Sequence, residues 1–158
     1  MKKITVVGLS LLISTMAILA TENTQVSYPD NYKEWTHIKT LIIKPGHPLG
    51  NIFHGIHHIY ANDKAYAGYK SGTFTDGSVI VLDYLQYADA NGTISETNRI
   101  YAAVMQRDNK KYAKTQGWGY EAFKGNTQER LVTNVNTMCA NCHKSQSKRG
   151  YVFSQMRK

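Results

Sequence analysis

From Trp35 onward the chain alternates short apolar, β-forming stretches with turn residues, and this spacing predicts strands more than long helices. Trp35, Ile38 and Leu41-Ile42-Ile43 read as one strand, closed by Pro45-Gly46. Ile56 to Tyr60 reads as a second, and Ser78 to Tyr87, just after the turn Thr75-Asp76-Gly77, as a third. Arg99 to Met105 and Gly117 to Phe123 give two more. Asp63 to Lys70 has helical character, with Asn62 or Asp63 to cap it and Gly72 to stop it. Asp108 to Lys114 predicts a short second helix and Gln128 to Met138 a third. The sum is an α+β domain: a curved antiparallel β-sheet packed with a few helices.

The N-terminus follows a different pattern. Met1-Lys2-Lys3 is positive, Ile4 to Leu19 is mostly apolar and uncharged, and Ala20 is a small residue at a plausible cleavage point. Residues 1–20 therefore read as a secretory signal peptide, with an uncleaved membrane anchor as the alternative. Residues 21–27 read as a polar leader and 28–158 as one folded domain, exported to the periplasm. No repeat, low-complexity tract or linker divides it further.

Charge changes the picture little. The 158 residues carry 19 basic and 11 acidic side chains; without Lys2 and Lys3 the balance is 17 against 11, a net +6. Short basic runs without interleaved aromatics, Lys110-Lys111 and Lys144 to Arg149, argue for solvated surface and against nucleic-acid binding. A mildly cationic surface favours acidic redox partners.

The motif that carries chemistry is Cys139-Ala140-Asn141-Cys142-His143. In C-x-x-C-H, two thiols one helical turn apart can add to the two vinyl groups of one haem, and the next histidine reaches its iron. The competing readings are weaker. A redox dithiol lacks its βαβ surroundings and a zinc site lacks a second Cys pair; the exported compartment permits a structural disulfide, but export, the C-x-x-C-H order and the absence of other cysteines agree on haem. The expected cofactor is thus one covalently attached haem c, with His143 as the metal ligand. The opposite side of the iron stays undecided. Met138 sits beside the proximal motif and does not easily reach round, Met105 falls in a predicted strand and reads as core, and Met156 lies near the C-terminus. His37, His47, His54, His57 and His58 are available but read more as surface or hydrogen-bonded residues, and an open site is consistent with the sequence.

The order of motifs resembles the cytochrome P-460 family, which includes the cytochromes c′-β. The matching pieces are Tyr28-Pro-Asp-Asn-Tyr-Lys-Glu-Trp35, Ile59-Tyr-Ala-Asn62, Gly72-Thr-Phe-Thr-Asp-Gly-Ser-Val-Ile-Val81, Gly117-Trp-Gly-Tyr-Glu-Ala-Phe123, the haem motif, and Tyr151-Val-Phe-Ser154. The resemblance implies a curved sheet, a homodimer and a five-coordinate haem c. Members that oxidise hydroxylamine carry a haem-linked lysine just after the F-x-D-G-x-V-x-V strand; here that position is Leu82, which has no amine, and Lys64 and Lys70 lie elsewhere. This moves the chain toward the cytochrome c′-β type, which binds nitric oxide and carbon monoxide in an apolar pocket. The resemblance further implies Leu82 as a pocket wall and offers Phe74 and Phe53 as candidate aromatic caps, with plain core packing as the equal alternative for each. It implies His57 as a hydrogen-bonding group, against a solvent-facing strand histidine, with Arg99 as a propionate partner and Glu121 as a proton acceptor. Three functions follow: a gas-binding cytochrome, a haem enzyme acting on hydroxylamine or peroxide, and a six-coordinate electron carrier whose redox partner the sequence does not identify.

Overall fold

The computed structural model describes residues 25–157. Residues 1–20, expected to be a signal peptide, and most of the expected leader lie outside that range. Five strands form one antiparallel sheet in sequence order: β1 (Thr36–Ile43), β2 (Gly55–Ala61), β3 (Val79–Ala90), β4 (Thr93–Arg107) and β5 (Trp118–Lys124). Two helices interrupt them, α1 (Gly50–Phe53) and α2 (Asp63–Ser71), and a third, α3 (Asn141–His143), follows the sheet.

Local chemistry sets the boundaries. The Asn62 side-chain oxygen accepts from Ala65 N at 2.9 Å, capping α2, and from Val79 N at 3.0 Å, tying the helix start to the start of β3. Gly72 ends α2 at φ 81°, where a side chain would strain the backbone. Asn91 (φ 53°) and Gly92 (φ 73°) close the β3–β4 hairpin, the residue pair that a tight two-residue turn requires. Register breaks between Tyr84 and Tyr87 bend the hairpin, and its Glu96 reaches back to His58 Nε2 at 2.6 Å.

The register sorts side chains onto two faces. Ile59, Leu82, Ala103 and Ala122 stand opposite one another, as do Ala61, Ile80, Met105 and Tyr120, and His57, Tyr84 and Tyr101. Tyr60, Val81, Val104 and Glu121 occupy the other face, with Asp83, Ala102 and Phe123. This second face is sealed: Val26, Tyr32, Val81, Ala102, Val104, Tyr112 and Phe123 are buried together. Inside it Asp83 takes a bidentate grip from Arg99 at 2.5 and 2.9 Å and accepts from Tyr32 Oη at 3.0 Å.

Three expectations change. Val26 is 2% exposed and packs in the sealed face, so the packed chain begins before Tyr28 and the leader does not extend through residue 27. Residues 108–114 form turns and a single 3-10 turn, Ala113–Thr115, because the Asp108 carboxylate caps Lys110 N and Lys111 N and the chain then reverses at Gln116-Gly117. Residues 128–134 are not helical. They run along the free edge of β5, where Lys124 N donates to Glu129 O and Leu131 N to Ala122 O at 2.9 Å; an unpaired edge strand outcompetes a marginal helix.

Asp83 and Arg99 have side chains only 5% and 8% exposed. Asp83→Ala leaves a buried guanidinium uncompensated and is expected to cost about 3–5 kcal/mol of stability, read from urea unfolding of the purified protein. A loss below about 1 kcal/mol, the range of exposed pairs, would show the pair to be a surface contact.

Candidate functional site

The haem motif rides on a continuous helical run. Asn134 Oδ1 accepts from Asn136 N at 3.1 Å and Thr137 N at 3.2 Å, capping its start. A π-helical turn, Asn136–Ala140, passes directly into α3, so Cys139 and Cys142 fall three residues apart on one helical face. Both are free thiols; Cys139 is half-buried against the open face of the sheet and Cys142 is exposed. Burial, aided by the Glu121 carboxylate and Cys142, pushes the Cys139 thiol up to about 11, so it is protonated at neutral pH.

His143 is held from behind. Gly150 (φ 63°) and Tyr151 (φ 68°) are both left-handed, and Trp118 Nε1 donates to Gly150 O at 2.9 Å. This turn carries Tyr151 O to 2.7 Å from His143 Nδ1. A carbonyl only accepts, so Nδ1 bears the hydrogen and Nε2 keeps its lone pair. Burial also lowers the imidazole pKa below its ordinary value, only partly offset by that hydrogen bond. The result is a neutral, oriented imidazole between Tyr120 (4.9 Å) and Phe153 (5.0 Å), the state a metal ligand needs.

The sheet face beside it is uneven. On β4, Ala102 and Val104 are buried, whereas Tyr101, Ala103 and Met105 between and around them are only half-buried; Leu82 and Ala122 are half-buried too. The centre of a sheet is normally its best-covered part, and here it presents a shallow apolar cradle floored by two alanines. Tyr120 Oη, next to His143, is buried without a hydrogen-bond partner. Two free thiols, a pre-set Nε2, a flat apolar floor and an orphaned hydroxyl fit an amphipathic planar group such as haem.

The sequence-derived candidates fall on both faces. Leu82 lies on the cradle face, in the row with Ile59 and Ala103. His57 is 2% exposed, not solvent-facing: Nε2 donates to Phe53 O at 2.7 Å, its ring lies 4.6 Å from Tyr84, and burial lowers its pKa. Phe53 stands 6.3 Å from the His57 ring. Phe74 is a packing residue rather than a cap: Tyr69 and Trp118 flank it at 5.2 and 5.6 Å, and a Cβ on Gly68 would come within 2.4 Å of it. Arg99 is corrected as a propionate partner, because it sits on the sealed face with its guanidinium bound to Asp83 and Asn126. Glu121 likewise is no free proton acceptor. Its oxygens take Ala122 N, Val132 N and Arg130, and it points from the sealed face. His37 and His58, linked through Thr40 at 2.8 Å each, flank Tyr60 on the sealed side and cannot serve the cradle. The Lys64 amine donates to Asp76 O, and the Lys70 amine covers Tyr66. Sequence reasoning missed Tyr101, Ala103, Ala122, Tyr120 and Tyr151; only the strand period pointed to them, and it does not reveal the partner across a strand.

A sheet of this kind with thiols and an oriented imidazole on one helical turn defines a c-type haem protein. The family model for cytochrome P460 matches residues 29–154, and the chain belongs to that family, whose members carry a covalently attached haem c with its iron. No curated protein matches the chain closely enough to count as a relative.

With Cys139 and Cys142 as the attachment thiols, acid-acetone extraction of the holoprotein is expected to leave the haem on the chain, and Cys142→Ala to retain one thioether. Intact mass should equal polypeptide plus one haem, with no further hydrogens lost to a lysine bridge. A haem-bearing peptide containing Lys64 or Lys70 would contradict this assignment.

Proposed function

We propose that this is an exported cytochrome of the c′-β type, whose haem keeps one coordination position open for small neutral gases, nitric oxide and carbon monoxide, in nitrogen-oxide capture or sensing. Cys139 and Cys142 hold the haem and His143 ligates the iron through Nε2. When bound, the haem supplies a ferrous iron that takes diatomic gases. The observation that carries the reading is Leu82, half-buried at the centre of the apolar cradle in the position where hydroxylamine-oxidising relatives place a lysine.

The surrounding residues support it by what they withhold. Arg99, Glu121, Lys64 and Lys70 have their charged ends engaged elsewhere, and the cradle-face cations Arg107 and Lys124 are bound to Gln116 O and Asn109 and to Glu129, so none of these six is turned to Leu82. The His57 N–H is tied to Phe53 O, and the Tyr84 hydroxyl donates to His54 O at 2.8 Å. An apolar floor without a free charge favours neutral ligands, which lose little solvation on entry, over anions. Met105 packs with Ile80 and Tyr120 in the core, and Met138 is exposed, which argues against either thioether as a sixth ligand.

One observation favours a second reading, proton-coupled chemistry on hydroxylamine or peroxide. His57 is a neutral imidazole on the cradle face whose Nδ1 is left as an acceptor, the kind of group that work needs.

Stopped-flow mixing of the ferrous protein with each gas separates them. Fast binding of both is expected, Leu82→Ala should speed it by relieving crowding, and steady-state hydroxylamine oxidation should be weak or absent. Hydroxylamine turnover that His57→Phe abolishes would establish the second reading in its place.

A further inference from the structure

Charge is unevenly distributed along the described chain. Residues 25–130 hold twelve basic and ten acidic side chains, whereas residues 131–157 hold four basic ones, Lys144, Lys148, Arg149 and Arg157, and no acid. Most of the net positive charge thus lies in the segment that carries Cys139, Cys142 and His143. Arg157 stands apart, its backbone N bonded to Ile38 O on β1. The other three sit on the 3-10 turn Lys144–Arg149 that follows His143 without a break, and all three are exposed.

Among the described residues, none of the three pairs with a carboxylate. Arg149 binds the Gln146 amide oxygen, and Lys144 and Lys148 lie on either side of a kink at Gln146, both exposed. The elements packed against this segment do not neutralise it. From α2, Tyr69 Oη meets Ser154 Oγ at 2.6 Å; the acid of α2, Asp63, stands at the helix's other end, and Lys70 is at this one. Phe74 reaches Gly150 from a loop whose Asp76 is bound to Asn109. On β5, Glu121 is paired with Arg130. The same C-terminal segment exposes two apolar side chains, Met138 (51%) and Phe153 (45%), the latter edge-on to the His143 ring, and the thiol position Cys142.

We infer that the surface formed by Lys144, Lys148 and Arg149, with Met138 and Phe153, is a docking face for an acidic electron-transfer protein that reduces this one. The inference rests on the reading of Cys139, Cys142 and His143 as haem residues. Gas capture needs ferrous iron, and each return from the ferric state consumes one electron from a donor outside the chain. An uncompensated cationic patch speeds encounter with an anionic partner and orients it, while a small apolar centre lets the two surfaces close. A second copy of the chain is disfavoured there, because it would bring like charges together.

The test uses the oxidised holoprotein and a reduced flavodoxin, an acidic one-electron donor, in stopped flow. The second-order rate constant should fall steeply with added salt. Lys144→Glu/Lys148→Glu/Arg149→Glu should slow it by about tenfold or more, the scale of steered association, and Lys148→Glu alone should slow it less but in the same direction. Reduction by neutral lumiflavin semiquinone should be unchanged in every variant. Lys33→Glu/Lys39→Glu/Lys44→Glu, a reversal of exposed charge around β1, should leave the flavodoxin rate nearly unaltered. Equal slowing by both triple variants, a salt-independent wild-type rate, or loss of binding to anionic phospholipid vesicles with no effect on the flavodoxin rate would overturn the proposal. Failure of the underlying reading is seen separately, as a purified protein with no Soret band.

Discussion

The register of the antiparallel sheet is the constraint on which the rest depends. Because side chains alternate, a one-residue slip of β3 would exchange Val81 with Leu82 and turn the sealed face into the open one. Three features pin it. Asn62 fixes the first residue of β3 through Val79 N, the Asn91-Gly92 turn fixes its pairing with β4, and the Asp83–Arg99 pair locks the sealed face from inside. With the register set, Ile59, Leu82, Ala103 and Ala122 share one row beneath the haem motif, and every charged partner of Arg99 and Glu121 is carried to the far side.

The two faces divide the chemistry. The sealed face holds charge with full compensation, as buried charge must be held. The open face holds aromatic rings, alanines and Leu82; its His57 and Tyr84, and His143 above it, each donate a hydrogen to a backbone carbonyl, while Tyr120 Oη is left without one. The backbone therefore sets which lone pairs remain. For His143 that is Nε2, the atom a metal ligand must present, and the strained Gly150-Tyr151 turn exists next to it. Unusual backbone at that point is consistent with a geometry held for function rather than for packing.

Much of this was legible in the sequence. All five strands, helix α2 with its Asn62 cap and Gly72 stop, and the C-x-x-C-H motif follow from local signals that act within a few residues. What failed was long-range. The 128–138 segment has a helix-compatible pattern, but the free edge of β5 captures its first half, a competition invisible without knowing which strand is last in the sheet. Glu121 lies in a motif that resembles a haem-binding family, and Arg99 was expected as a propionate partner, yet strand parity places both on the sealed face. Parity is exact within a strand but shifts at bulges, and the breaks between Tyr84 and Tyr87 fall between Leu82 and the hairpin tip. The burial of His57 was likewise decided by a tertiary feature, the approach of Phe53 and Tyr84.

The central claim, carried by the proposed function, is that His143 is the protein's one ligand to the iron, with neither His57 nor Met105 of the cradle face binding as a second. Resonance Raman spectroscopy of the dithionite-reduced holoprotein tests it most directly, because the iron–imidazole stretch is seen in five-coordinate, high-spin ferrous haem and is lost on binding a sixth strong ligand. The account predicts that stretch in the ferrous protein without added gas. A low-spin, six-coordinate ferrous spectrum lacking the band, and restored to five-coordination by replacing Met105 or His57, would contradict it.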